Sequence, residues 1–139
     1  MKSSEEIYDF MNSYPLGVIS TLNKAGLPNS AIVGFGQTKD LELLIGTDNS
    51  SRKYNNLKRN PHVAFTLGGE TAETVQFEGL ARELAPDELN LVADNYWKKN
   101  PDAEVHHANP GERYFIIMPT WIRYTDLRVD PWLVTEMKF

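Results

Sequence analysis

Apolar residues recur at helical spacing at the start of the chain and at strand spacing almost everywhere after it. Ile7, Phe10, Met11 and Tyr14 share one helical face, Ser3 or Ser4 stands where a cap belongs, and Glu5 and Glu6 complement the helix's positive end. Pro15 stops that helix. Residues 16–22 and 29–38 read as two strands around the tight turn Asn23-Lys24-Ala25-Gly26, and residues 41–47 as a third after a turn at Lys39-Asp40. Residues 50–60 interrupt the β texture, with Tyr54 and Leu57 at helical spacing and Asn60-Pro61 as the stop. Strands resume at 62–67 and, after Gly68-Gly69, over 73–84, where Val75, Phe77, Gly79 and Ala81 oppose Gln76, Glu78, Leu80 and Arg82. Pro86 opens a further helix with Leu89, Val92, Ala93 and Tyr96 on one face, ending near Asn100-Pro101. Residues 102–112 form the most polar connection, 113–118 and 120–128 a pair of strands broken at Pro119, and 131–139 an added edge.

Strands that come in runs joined by short turns argue against parallel βαβ units. The pattern predicts an α+β protein, mainly β, built as a roughly six-stranded antiparallel barrel with two or three short helices. The 139 residues suffice for one core, so residues 1–139 are expected to form a single domain.

Charge and cysteine usage narrow the chemistry. With 19 acidic against 14 basic side chains the net charge is -5, which disfavours a general nucleic-acid or anionic-membrane binder but not a local site for one small anion. The absence of cysteine removes disulfides, thiolate nucleophiles and cysteine-ligated metals. The acidic amino terminus leads into no apolar signal region, and the longest apolar run, 114–118, is far below the ~20 residues of a membrane span; a cytoplasmic protein is expected.

The segment Gly46-Thr47-Asp48-Asn49-Ser50-Ser51-Arg52-Lys53 is the most informative. An apolar strand runs out into hydroxyls and amides, and a helix then opens with two consecutive cations. Unpaired N–H groups at a helix start attract anions, Thr47, Ser50 and Ser51 add hydroxyl donors, and Arg52 can grip two oxygens at once beside the compact charge of Lys53. A plain surface helix capped by Ser51 or Asn49, with Arg52 and Lys53 in solvent, accounts for the same residues.

In order, an apolar strand, Thr47, Ser51-Arg52-Lys53, Leu57, Asn60-Pro61-His62-Val63 and a second apolar strand resemble the flavin-binding split-barrel family that includes pyridoxamine 5′-phosphate oxidase. Gly17-Val18-Ile19-Ser20-Thr21 with Gly26-Leu27-Pro28, Val75 to Ala81, and Trp121-Ile122-Arg123-Tyr124 extend the similarity from about Tyr14 to Arg128. The resemblance implies a homodimer of split barrels with an FMN in each interfacial cleft. It implies that Thr47, Ser51, Arg52 and Lys53 hold the phosphate and that Ser30, Ala31, Ile32 and Val33 lie along the flavin ring. Small and β-branched neighbours suit a flat apolar ring. Gln76 has an amide that suits a ring edge, and a solvent-facing strand position fits it equally. The partner's last strands would bring Trp121 and Arg123. Two departures separate the chain from the vitamin B6 oxidases: Pro28-Asn29-Ser30 stands where they carry a further Arg, and neither their Trp-Gly-Gly region nor their Arg-rich tail is present.

The expectation is therefore an FMN-dependent oxidoreductase of unassigned substrate, with a small-molecule substrate or nicotinamide donor, rather than a B6 oxidase. A non-catalytic flavin-binding or stress-related module is the alternative, as is haem or deazaflavin in the same cleft. Haem would need an axial ligand from His62, His106 or His107. His106-His107 otherwise reads as an exposed loop, and no metal site is expected. Gly34-Phe35-Gly36 lacks the third glycine and crossover helix of a dinucleotide fingerprint and reads as a bulged strand near a ligand or partner backbone.

Overall fold

The computed structural model describes residues 1–139. A nine-residue helix, α1 (Ser4–Asn12), is followed by β1 (Leu16–Leu22), β2 (Pro28–Gly34), a two-residue β3 (Gly36–Gln37) and β4 (Leu43–Asp48). Then come α2 (Arg52–Arg59), β5 (His62–Gly68), β6 (Glu73–Glu83), α3 (Pro86–Val92), α4 (Asp94–Lys99), α5 (Ala103–His107), β7 (Glu112–Asp126) and β8 (Leu133–Lys138). The strands form one antiparallel sheet in the order β2-β1-β5-β6-β7-β4-β3, with β8 also paired to β7. The sheet curls so that β2 passes beside β4 without ladder bonds between them, and this seam is the split of the barrel.

Ser3 is the cap of α1: its hydroxyl accepts from the Glu6 N–H at 3.1 Å while Glu6 accepts from the Ser3 N–H at 3.2 Å. Ile7 and Met11 plug the barrel end, and the alternating strands supply the interior, including Ile19, Ile45, Phe65, Phe77, Phe115 and Tyr124. A second, smaller cluster of Leu44, Leu89, Ala93, Tyr96 and Tyr114 lies outside the barrel and holds α3 and α4 against it.

Eight strands and five helices replace the expected six and two or three, for local reasons. The expected strand 29–38 divides at Phe35, whose side chain turns fully into the core, leaving β2 and β3 at opposite ends of the sheet. Leu41 turns the corner with a φ of 63°, so the third strand starts at Leu43 rather than 41. The long helix after Pro86 breaks at the buried Ala93 into α3 and α4, and the polar connection holds a helical turn, α5. Pro119 does not end the last strand, because a register shift at Glu78/Gly79 in β6 absorbs its missing N–H.

Glycines 34 and 36 are explained by contact within the chain. A Cβ on Gly34 would lie 2.5 Å from the Asn100 side-chain oxygen, and one on Gly36 would lie 2.8–3.0 Å from the Cβ, Cα and N of Tyr96. What packs on these two glycines within the chain is α4, through Tyr96, and the residue that follows it, Asn100. Asn100 completes the docking by donating to the Phe35 carbonyl at 3.0 Å. Gly36→Ala should therefore push α4 off the sheet at a cost of about 1–3 kcal/mol. Denaturant unfolding measures this; an unchanged midpoint would contradict close docking of α4.

Candidate functional site

At the end of β4 the side chain of Thr47 is 6% exposed, and its hydroxyl lies 2.7 Å from that of Ser51, the cap of α2. Ser51 also accepts from the Tyr54 N–H at 3.1 Å. The backbone N–H groups of Arg52 and Lys53 have no acceptor within the chain, as expected of a helix's first turn. Neither cation is in an ion pair. The Thr47–Ser51 pair keeps one hydroxyl proton free beside two free amides and the Lys53 cation, with Arg52 exposed at the start of the same helix, a donor set that suits a phosphate. Ser50 does not join them. Its N–H and hydroxyl are both taken by Asp48, which also accepts from Asn109, and these bonds, those from Ser50 foremost, hold the Asp48 carboxyl below its ordinary range.

Beside this corner a cleft of about 570 Å³ opens over the seam of the barrel. Ile32, Val33 and Gly34 of β2 and Gly46 of β4 line it on the sheet side, Lys53 enters from α2, and α4 with α5 supplies the far wall. Gly46 matters because Tyr114 lies across it: a Cβ there would meet the Tyr114 ring at 2.9 Å. The Tyr114 hydroxyl is 2.8 Å from His107 Nδ1, and burial, assisted by the Glu112 carboxylate, raises its pKa. Glu112 is itself raised by partial burial.

Lys99 is a strongly perturbed cation among the residues that line the cleft. Its ammonium donates to Gln37 Oε1 at 2.7 Å and to the Met11 carbonyl at 3.2 Å, and lies 3.5 Å from the centroid of the Phe35 ring. Burial lowers its pKa from 10.5 to about 7.

The structure brings together Ile32, Val33 and Lys53 around the cleft, with Thr47 and Ser51 at its corner. Ser30 and Ala31 continue β2 away from it, Ser30 sharing a 2.8 Å hydroxyl contact with Ser20. Arg52 is exposed at the corner's rim. Gln76, Trp121 and Arg123 lie elsewhere, on the outer face of β6 and β7, where Gln76 pairs in register with Arg123 and Trp121 donates to Glu136 at 2.8 Å. Gln76 and Trp121 share a separate pocket of about 200 Å³. The expected loop at His106-His107 is the end of α5; His107 packs on Trp97 and Tyr114, while His106 lines the cleft. Sequence reading missed Lys99, Asn100, Glu112 and Tyr114. The one available signal was the excursion between β6 and β7, far longer than a hairpin requires.

The curled antiparallel sheet, its seam and the helix-capped corner define a split-barrel protein. A family model described as pyridoxamine 5′-phosphate oxidase matches residues 3–126, and the chain belongs to that family. Among solved structures, a conserved hypothetical protein from Mycobacterium tuberculosis superposes with a TM-score of 0.77 at 28% identity, over 92% of this chain and 87% of that one. A haem-binding protein from Mycobacterium smegmatis gives 0.84 at 15% identity, over 99% of this chain and 58% of that one. A pyridoxamine 5′-phosphate oxidase-related, FMN-binding protein from Nostoc punctiforme gives 0.69 at 13% identity, over 98% and 92%. Among curated proteins, none matches this sequence.

Because Lys99 titrates near 7 when folded against 10.5 when free, the unfolded chain binds the extra proton between those values and stability must rise with pH across that window. The stability of the wild type relative to Lys99→Met should climb from pH 7 to pH 10 in paired denaturant titrations. A flat or falling difference would contradict the buried placement of the ammonium.

Proposed function

We propose that the protein is an FMN-binding flavoprotein, an oxidoreductase of small molecules rather than a vitamin B6 oxidase. The observation that carries this reading is the corner formed by Thr47, Ser51 and the start of α2, with its unpaired donors and cations opening onto the cleft. The phosphate of FMN fits that donor set, and the ring then has β2 as an apolar support, with Ile32 72% exposed toward it. FMN, when bound, supplies the redox chemistry; the chain orients it and sets its electrical surroundings. A hydride from a nicotinamide donor or from the substrate itself is the expected source of electrons.

A homodimer is part of the same proposal, and the exposed surface supports it. Leu16, Ile32 and Met118 are exposed apolar residues on the outer surface, and Gln76, Trp121 and Arg123 sit on the outer sheet face away from their own corner. A second copy would bring its Gln76, Trp121 and Arg123 to the cleft of the first. No helix is long and apolar enough to cross a membrane. Haem is the second reading, favoured by one observation: His106 stands on the cleft wall, where it is free to act as an axial ligand.

Replacing Arg52 and Lys53 together by Ala should weaken FMN roughly tenfold or more, since a charge-assisted bond contributes about 1.5–3 kcal/mol, and should leave riboflavin nearly unchanged. Fluorescence quenching titrations read both ligands. Equal losses would refute the phosphate corner, and a Soret band retained through purification but absent in His106→Ala would favour haem.

A further inference from the structure

Lys99 is a half-buried cation held only by uncharged partners. Gln37 and the Met11 carbonyl take two of its three N–H groups, and Phe35 offers a ring face. The Met11 carbonyl lies near the end of α1, where a positive charge is favoured. No carboxylate pairs with Lys99. The ionisable groups around it are Asp102 and His106 of the α4–α5 segment, Glu112 and Tyr114 of β7, Lys53 of α2, and Tyr8 of α1, whose hydroxyl accepts from Asn95; on its own helix are Asp94, Tyr96 and Lys98. A charge withdrawn from water without a counter-charge is costly, and it persists most readily where a ligand supplies the opposite sign. Lys99 lines the same cleft as Ile32, Val33 and Gly34, with its ammonium turned to the buried Gln37, Met11 and Phe35 behind that wall, and its neighbour Asn100 rests directly on Gly34.

We propose that Lys99 tunes the reduction potential of a flavin in this cleft by favouring the reduced ring over the oxidised one. The inference rests on the FMN reading above. The oxidised ring is neutral; on taking up two electrons and one proton it carries one negative charge, and a cation behind the adjoining wall stabilises that form. Lys99 therefore binds the two redox states unequally, which is what a shift in potential requires. Its own titration supports this role: the charge is present below neutrality and fades above it, and an anion nearby draws the proton back.

The test is a reductive titration of the FMN-loaded full chain against a reference dye, in wild type, Lys99→Met and Lys99→Arg, at pH 6 and pH 9. At pH 6, Lys99→Met should lose about tenfold of the preference for reduced over oxidised FMN, which lowers the potential of a two-electron couple by about 30 mV. The gap should shrink at pH 9, where wild type itself approaches neutrality. Lys99→Arg should keep the wild-type potential at pH 6 and hold the offset at pH 9, because a guanidinium stays charged. Should Lys99→Met fold poorly, Lys99→Gln removes the charge while leaving a donor to Gln37. If the uncharged variants bind FMN with an unaltered potential, the role assigned to Lys99 is overturned while the FMN reading stands. If wild type binds no FMN, both fall together.

Discussion

One constraint in the sheet shapes everything near the cleft: Pro119 stands in the middle of a 15-residue strand that three others need. Without an N–H it cannot continue the ladder, so the register shifts at Glu78/Gly79 and Thr120 becomes the extra residue, its hydroxyl donating to the Glu78 carbonyl at 3.1 Å. Gly79 is required opposite, since a Cβ there would lie 2.4 Å from the Met118 carbonyl. The bend lets one edge of β7 pair with β4 before the proline and with β8 after it, while β6 runs along the other edge throughout. The half before the proline carries Glu112 and Tyr114 to the cleft, and the half after it carries Trp121 and Arg123 to the outer face.

The cleft is then a joint product of barrel and excursion. The barrel supplies the seam, the apolar strand β2 and the cationic corner. The excursion through α3, α4 and α5 supplies the opposite wall, docked on glycines of the Gly-Phe-Gly segment and sealed by the aromatic cluster of Tyr96, Trp97, His107 and Tyr114. Its cations differ in kind. Arg52 and Lys53 begin a helix at the surface, whereas Lys99 is desolvated and its pKa is lowered by burial. The cleft thus joins a polar corner, an apolar strand and one desolvated cation.

Legibility in the sequence followed the range of the interactions. Strand alternation, the Ser3 and Ser51 caps and the proline stops are local, and each was readable from neighbouring residues. The corner was readable for the same reason, because Thr47 and Ser51 meet across a single turn. The break at Phe35, the placement of β3 at the far sheet end and the docking of α4 depend on contacts far apart in the chain, so periodicity could not show them. Lys99 carried no signal in the sequence, because only the approach of α1 and β3 makes it a buried charge. Ser50 was misjudged for the opposite reason, since a neighbouring carboxylate claims its donors locally.

A crystal structure of the protein grown with FMN tests the central claim most directly. The account places the phosphate against the hydroxyls of Thr47 and Ser51 and the amides of Arg52 and Lys53, with the ring along β2. A phosphate bound elsewhere, or a ring that leaves β2 uncovered, would contradict it.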